Sequence, residues 1–232
     1  MASTSTSTSG DATVVSANRV WMVPGAMIAG IGGPFVLAVC NSLVNFTPGW
    51  AEAGSTAELV ELAGEYPLIT ELVIATGLLA VLLIVPGIWA IAARLAPRTP
   101  KLAAIGGWMM ASGYICSLAL TTDSVTNLIV ARSGLDPEAY GAAIDGQTLI
   151  TQAVIFGIFG IGALGGGIIL AIAMLLQRGA VPMWAGWLLL ASEPVRIAGL
   201  MLGIPFGPPL ASLLILAAFA GVLIAWRRTN RS

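Results

Sequence analysis

The stretch "LVIATGLLAVLLIVPGIWAIAA", residues 72–93, decides the fold class, because its 22 residues include no charged side chain. A helix of that length rises by about 33 Å, enough to cross a hydrocarbon core about 30 Å thick. Similar stretches recur, so that 57% of the residues are hydrophobic and only 9% are charged, against about 25% charged in soluble domains. The sequence therefore predicts an all-α, polytopic integral membrane protein.

Six apolar segments are predicted to form a bundle of transmembrane helices. They cover residues 21–46, 67–94, 102–130, 149–177, 182–203 and 207–226. The last two are separated at "GIPFGPP" (203–209), because glycine and proline favour a turn between antiparallel helices. The transmembrane domain as a whole is predicted to cover residues 19–228. The Ser/Thr-rich residues 1–18 are predicted to be a disordered cytoplasmic tail, and residues 229–232 a short basic one.

The basic residues predict that both termini are cytoplasmic, since Lys and Arg accumulate in cytoplasmic loops. With the N-terminus inside, every second loop is basic, and the outer segments contain only Arg132. The predicted cytoplasmic segments contain Arg19, Arg94, Arg98, Lys101, Arg178, Arg227, Arg228 and Arg231. The protein is expected in the cell membrane, in contact with membrane lipid.

The two longer outer loops are predicted to contain short helices. Ser55 and Glu58 have the spacing of a capping box, and the apolar residues that follow suit a helix on the membrane surface. Asp136 is a candidate N-cap with Pro137 at the first helical position. These helices either form a lid over an outward-facing cavity or simply cover the end of the bundle.

Composition excludes several kinds of function. A net charge of −1 and a pI near 5.3 leave no basic face for nucleic acid. The absence of histidine excludes His-ligated haem or zinc and any Ser-His or Cys-His nucleophile. Cys40 and Cys116 lie in different predicted spans, so no disulfide framework is expected. No cofactor and no metal are predicted.

The charged pair in "ASEPVRIAG" (191–199) is the main indication of a site. Glu193 lies about 16 Å into the fifth predicted span, near the midplane, and Arg196 follows one turn later on the same side. A charge at this depth costs at least about 2.5 kcal/mol on insertion scales, so it should face the protein interior with a partner. The pair therefore either belongs to a polar site or only fixes helix packing.

Other polar residues are predicted at a similar level in neighbouring spans. Asp123, Glu71, Asn127 and Asn41 all fall between the midplane and the outer surface, which suggests a cavity that opens outward. Together with Glu193 and Arg196 they are the predicted ligand-binding residues. The oxygens of "TTDSVTN" (121–127) would also suit a cation, although hydroxyl groups in membrane helices usually bond to their own backbone.

Glycine and alanine spacings in two spans predict close helix packing. Gly162 and Gly166 in the fourth span, and Ala29 and Gly33 in the first, have the small-xxx-small spacing of associating membrane helices. The first span would dock on another span or on a partner subunit. A glycine-lined fourth span would alternatively leave room for a flat ligand.

Three functions remain open from the sequence. The first is binding or transport of a small molecule from the outer face, with protonatable carboxylates and Arg196 holding an anionic group. The second is a membrane-embedded enzyme that acts on a lipophilic, isoprenoid-like substrate with Glu193, Asp123 or Glu71 as the acid and with aromatic walls from Tyr114, Phe156 and Phe159. The third is a structural or assembly subunit. A small transporter of this kind is expected to form a homo-oligomer or to have a partner subunit.

Overall fold

The computed structural model describes residues 10–147, 149–177 and 179–229, and most of these residues are in helices. Within these ranges there are nine helices. They are α1 (Gly10–Phe46), α2 (Thr56–Glu65), α3 (Pro67–Leu95), α4 (Pro100–Cys116), α5 (Leu118–Ser133), α6 (Pro137–Asp145), α7 (Ile150–Leu175), α8 (Met183–Met201) and α9 (Gly207–Thr229). The predicted all-α membrane fold is confirmed.

Five helical segments are long and apolar enough to cross a membrane. They are Pro24–Phe46, Pro67–Leu95, Pro100–Ser133, Ile150–Leu175 and Gly207–Arg228. The fifth predicted span (182–203) corresponds to α8, which is not among them, because Glu193, Pro194 and Arg196 lower its hydropathy. The six-span count and the side of the membrane on which each terminus lies therefore stay predictions.

Two boundaries differ from those expected from the sequence. Helix α1 begins at Gly10, so residues 10–18, assigned above to a disordered tail, continue the helix; residues 11–22 contain no glycine or proline to stop it. Residues 1–9 and 230–232 of the predicted tails, and Arg178, lie outside the described residues. The third predicted span is two helices that meet at Ser117, whose hydroxyl donates to the carbonyl oxygen of Tyr114 at 2.6 Å and competes with the helical ladder.

The long helices form a closed ring. In order around it, α1 packs on α3, α3 on α4, α4 on α7, α7 on α8, α8 on α9, and α9 again on α1. Large side chains fill the middle of the ring, among them Ile84, Met110, Leu170 and Phe219, all fully buried. The short helices α2 and α6 pack on each other, and α2 also contacts α5 and α3. They lie at one end of the bundle, here called the α2–α6 end.

Glycines let α4 and α7 approach at backbone distance. A Cβ at Gly162 would lie 2.7 Å from the carbonyl oxygen of Met109, and one at Gly166 would overlap the backbone nitrogen of Met110. The interpretation of these glycines as a packing surface is confirmed. In the first half of α7, by contrast, a Cβ at Gly157 or Gly160 would meet nothing within 4 Å.

The small residues of α1 also pack within the chain. A Cβ at Gly33 would lie 2.5 Å from the backbone nitrogen of Ile84 in α3, and one at Gly30 would lie 2.6 Å from Leu223 in α9. The sequence predicted that these small residues dock on another span or on a partner subunit, and within this chain they dock on other spans. The predicted turn at residues 203–209 is confirmed, since α8 and α9 pack on each other on either side of it and Gly203 has a positive φ of 61°.

Both short helices begin where their capping residues predict. The Ser55 side chain accepts from the backbone N–H of Glu58 at 3.2 Å, and Asp136 accepts from the N–H of Glu138 at 3.1 Å, with Pro137 at the helix start. Helix α2 packs one face against α5 and α6, which buries Val60, and its opposite face, with Glu58, Glu61 and Glu65, is exposed. Its predicted position on the membrane surface stays a prediction.

Candidate functional site

A cavity of about 440 Å³ lies inside the ring, below α2. Helices α1, α3, α4, α5, α7 and α8 all contribute to its wall, and Trp50, Leu59 and Ala63 cover it at the α2–α6 end. Neighbouring helices run in opposite directions, so some contribute their first half and others their second half to the α2–α6 end. In each case it is the half with polar side chains. Helix α2 therefore forms part of the cavity wall as well as covering the end of the bundle, and its role as a lid stays a prediction.

Most of the cavity lining is apolar, with a small number of polar side chains. The apolar wall includes Leu37, Val44, Leu59, Val73, Val81, Leu120 and Phe159. Four of the six predicted ligand-binding residues line the same cavity: Asn41, Asp123, Asn127 and Arg196. A mainly apolar pocket with a few oriented polar groups is the usual form of a small-molecule site.

The buried pair of Glu193 and Arg196 lies at the edge of this cavity. Nε of Arg196 lies 3.3 Å from Oε2 of Glu193, and the two side chains are 16% and 1% exposed. Arg196 lines the cavity, whereas Glu193 stands behind it. Oε1 of Glu193 and Nη2 of Arg196 are buried and make no hydrogen bond with the described residues. The pair therefore keeps unused capacity both to donate and to accept.

Glu193 faces α7 at Gly167. A Cβ on Gly167 would lie 3.6 Å from Oε1 and 3.7 Å from Cγ of Glu193, which is ordinary van der Waals contact. The carboxylate is thus close to α7, with space for a small side chain between them. Ser192, the neighbour of Glu193, donates its hydroxyl to the carbonyl oxygen of Leu189 at 2.7 Å.

The two asparagines have different surroundings. Nδ2 of Asn41 donates to Oγ of Ser212 at 2.9 Å and to the carbonyl oxygen of Pro208 at 3.4 Å, so it ties α1 to α9. Its side-chain carbonyl remains available to the cavity. Asn127 is buried, and in the described parts of the chain its side chain forms no hydrogen bond. Both the carbonyl oxygen and the NH₂ group of its amide therefore remain available.

Asp123 lines the cavity from α5, next to hydroxyl groups that are already in use. Thr122, Ser124 and Thr126 each donate to the backbone carbonyl four residues earlier, at 3.0–3.1 Å. They therefore do not turn their donors toward a ligand. Between residues 10 and 229, leaving out 148 and 178, no three His, Cys, Asp or Glu residues are grouped so as to hold a metal ion.

Glu71 lies apart from the cavity. Its Oε1 accepts from Nη2 of Arg132 at 2.5 Å, and the two side chains are 49% and 56% exposed. The structure does not bring this predicted ligand residue together with the other five. A position close to the start of a long helix gives water access to a carboxylate, so its presence in a predicted span required no internal partner.

Sequence reasoning did not find the loop part of the wall. Trp50 and Ala53 come from the α1–α2 connection and also line the cavity. Their sequence has no helical periodicity that would assign a facing side. The only signal was the position of a tryptophan just before a capped helix.

The chain has no match among protein-family models, curated proteins or solved structures. Its function must therefore be argued from the geometry of this cavity.

Proposed function

We propose that the protein binds a small amphipathic molecule with an anionic group in this cavity and carries it across the cell membrane. The observation that carries the proposal is the guanidinium group of Arg196, which lines a mostly apolar cavity and has one nitrogen without a partner. An anionic group on the ligand would complete its hydrogen bonds. Charge-assisted bonds of this kind are about twice as strong as neutral ones.

The rest of the wall suits the remainder of such a ligand. Leu37, Val44 and Val73 provide apolar surface for a hydrocarbon body, and Asn127 offers an unused amide. A ligand with both an apolar body and an anionic group would use all parts of the wall. A fully polar solute would leave most of the apolar lining unused.

The structure around the cavity favours movement on one side. Helix α4 packs on α7, but α5 packs on α2 and α3, so the first half of α7 does not have α5 as a packing partner. Ile150, Val154 and Ile161 there are 82%, 52% and 70% exposed. We propose that this half of α7, which contributes Phe159 to the wall, moves when the ligand enters or leaves.

The proposal is tested with protein purified in mild detergent, by identifying the small molecules that co-purify by mass spectrometry. Wild type and Arg132→Gln should retain the same anionic amphipathic compound, since Arg132 lies in an exposed ion pair away from the cavity. Glu193→Gln/Arg196→Gln, which removes both buried charges together, should lose it. Uptake of that compound into proteoliposomes then separates transport from binding alone.

Retention of the compound by a folded Glu193→Gln/Arg196→Gln variant would contradict the proposed site. Bulk lipids alone in every sample would favour the third function, in which the pair only fixes the packing of α8. Circular dichroism and size-exclusion chromatography of each variant show whether the fold is retained.

A membrane-embedded enzyme is the second candidate, because Asp123, Tyr114 and Phe159 line the same cavity. An acid beside aromatic faces is the arrangement that a cationic hydrocarbon intermediate requires. This function predicts a chemically altered lipophilic product that disappears in Asp123→Asn. The transport function predicts that the compound is released unchanged.

A further inference from the structure

Two adjoining cavities lie at the opposite end of the bundle from α2, where α3 ends and α4 begins. The first is an apolar groove of about 690 Å³ beside α1 and α3, lined by small residues such as Ala26, Ala90 and Ala93 and by Trp89 and Trp226. The second is a smaller pocket of about 280 Å³ lined by Arg94, Arg98 and Gln177. Both include Arg94 and Pro97 in their walls, so they are adjacent.

From this arrangement we propose that the groove and the basic pocket together bind one anionic phospholipid, with an acyl chain in the groove and the headgroup phosphate at Arg94 and Arg98. The site is separate from the cavity below α2. It does not depend on the function proposed for that cavity.

Charge complementarity supports the anionic headgroup. Nε of Arg94 is buried and makes no hydrogen bond with the described residues. Neither Arg94 nor Arg98 forms an ion pair with any residue in 24–147, 149–177 or 179–228. A phosphate oxygen would supply the missing acceptor, and arginine binds phosphate with two parallel bonds. Basic pockets at helix ends are typical sites for anionic headgroups.

The pocket is held in shape by Gln177, which is itself buried. Its Nε2 donates to the carbonyl oxygen of Leu95 at 2.6 Å and to Oγ1 of Thr99 at 2.9 Å. These bonds fix the α3–α4 connection, which carries Arg98, against the end of α7. The basic pocket is therefore built by the fold and not by two mobile surface side chains alone.

The apolar groove favours a lipid over free phosphate. Phosphate alone would occupy only the pocket and leave the adjoining groove unused. Small side chains on neighbouring helices leave the groove open, and tryptophans are enriched at the level of lipid headgroups. A diacyl lipid would place its chain and its headgroup in the two adjoining spaces at once.

The test measures lipid adducts by native mass spectrometry of the full chain in detergent. Dioleoyl phosphatidylglycerol and dioleoyl phosphatidylcholine are titrated separately. Wild type and Arg132→Gln, which removes a cation at the other end of the bundle, should prefer the anionic lipid equally. Arg94→Gln/Arg98→Gln should weaken its binding by about fivefold for each arginine, the factor that corresponds to about 1 kcal/mol per basic residue near a lipid surface.

A second pair of variants tests the groove. Ala93→Trp fills it and should weaken phosphatidylglycerol binding, whereas Ala104→Trp, at an exposed position of α4 outside the groove, should not. The proposal is overturned if Arg94→Gln/Arg98→Gln keeps the wild-type preference or if Ala93→Trp binds like wild type. It is also overturned if inorganic phosphate at a concentration equal to that of the lipid displaces the lipid completely, because the apolar groove would then contribute nothing to binding.

Discussion

Glu193 and Arg196 neutralise each other's charge, so replacing only one of them should destabilise the protein more than replacing both. Glu193 is buried in α8 and Arg196 is largely buried, and Oε2 of Glu193 lies 3.3 Å from Nε of Arg196, so each compensates the charge of the other. Glu193→Gln leaves Arg196 buried without its counter-charge, and losing one partner of a buried pair costs on the order of 3 kcal/mol. Removal of both charges avoids this penalty. We therefore expect Glu193→Gln to be less stable than Glu193→Gln/Arg196→Gln.

The measurement is the free energy of unfolding in a mixed-detergent titration, with Glu71→Gln as the control. Glu71 belongs to an ion pair that is about half exposed, so its loss should change stability by less than about 1 kcal/mol. A double variant that is less stable than Glu193→Gln would mean that the pair stabilises α8 by more than mutual neutralisation.

At the level of single residues, the sequence predicts best where burial leaves no alternative. Arg196, Asn127 and Asn41 had to face the interior, because a polar group in a long apolar helix has no water to bind. Glu71 could not be assigned in this way, because a helix end reaches water. Trp50 lies in a loop, where no periodicity indicates which way a side chain faces.

Among the helices, the crossing of α4 and α7 offers a matched pair of substitutions. Gly166→Ala places a methyl group onto the backbone of Met110, so the two helices must separate, at a cost of roughly 1–3 kcal/mol. Gly160→Ala, six residues earlier on the same helix, meets nothing within 4 Å and should leave stability unchanged or slightly higher. Thermal unfolding of the two variants in one detergent compares them. Equal loss in both would show that α7 is sensitive to any added side chain.

Helix α2 covers the cavity, and its contact with α6 should become less stable at low pH. Asp145 accepts from the hydroxyl and from the backbone N–H of Thr56, the latter at 3.0 Å, and these two bonds lower the pKa of Asp145 below its ordinary value of 3.8. Because the pKa of Asp145 is lower in the folded state, its ionised carboxylate stabilises the contact above pH 3.8. This stabilisation is lost as the pH falls through the lowered pKa.

Hydrogen exchange of the α2 amides measures this effect. Protection of residues 56–65 should fall between about pH 6 and about pH 3 by more than the intrinsic exchange chemistry explains. In Asp145→Asn the protection should be lower at the higher pH and should change less with pH. Glu138→Gln, on the same short helix, is the control and should keep the wild-type profile.

Across the whole molecule, the sequence predicts membrane segments well and their arrangement poorly. Length and apolarity are local properties, so five predicted spans appear as apolar helices with boundaries shifted by a few residues. The order of helices around the ring depends on which small-residue surface meets which partner. Gly30 and Gly33 of α1 contact α9 and α3 respectively, and nothing in their spacing names either helix. The cavity follows from that order.

The arrangement of the ring also bears on the number of spans. Helix α8 packs between α7 and α9, both apolar enough to cross the membrane, and its 19 residues extend about 28 Å. Its two opposite charges lie side by side and reduce each other's cost. We therefore expect α8 to cross as well, which makes six spans and puts both termini on one side.

Single cysteines test that expectation in a background of Cys40→Ala and Cys116→Ala. Ser5→Cys and Ser232→Cys should react with a membrane-impermeant maleimide only after the cells are permeabilised, since both termini are predicted to be cytoplasmic. Glu52→Cys, in the α1–α2 connection at the opposite end of α1, should react in intact cells. If α8 did not cross the membrane, the two terminal cysteines would differ in accessibility. Arg196 would then have to reach the cavity from a helix that enters and leaves the membrane on the same side.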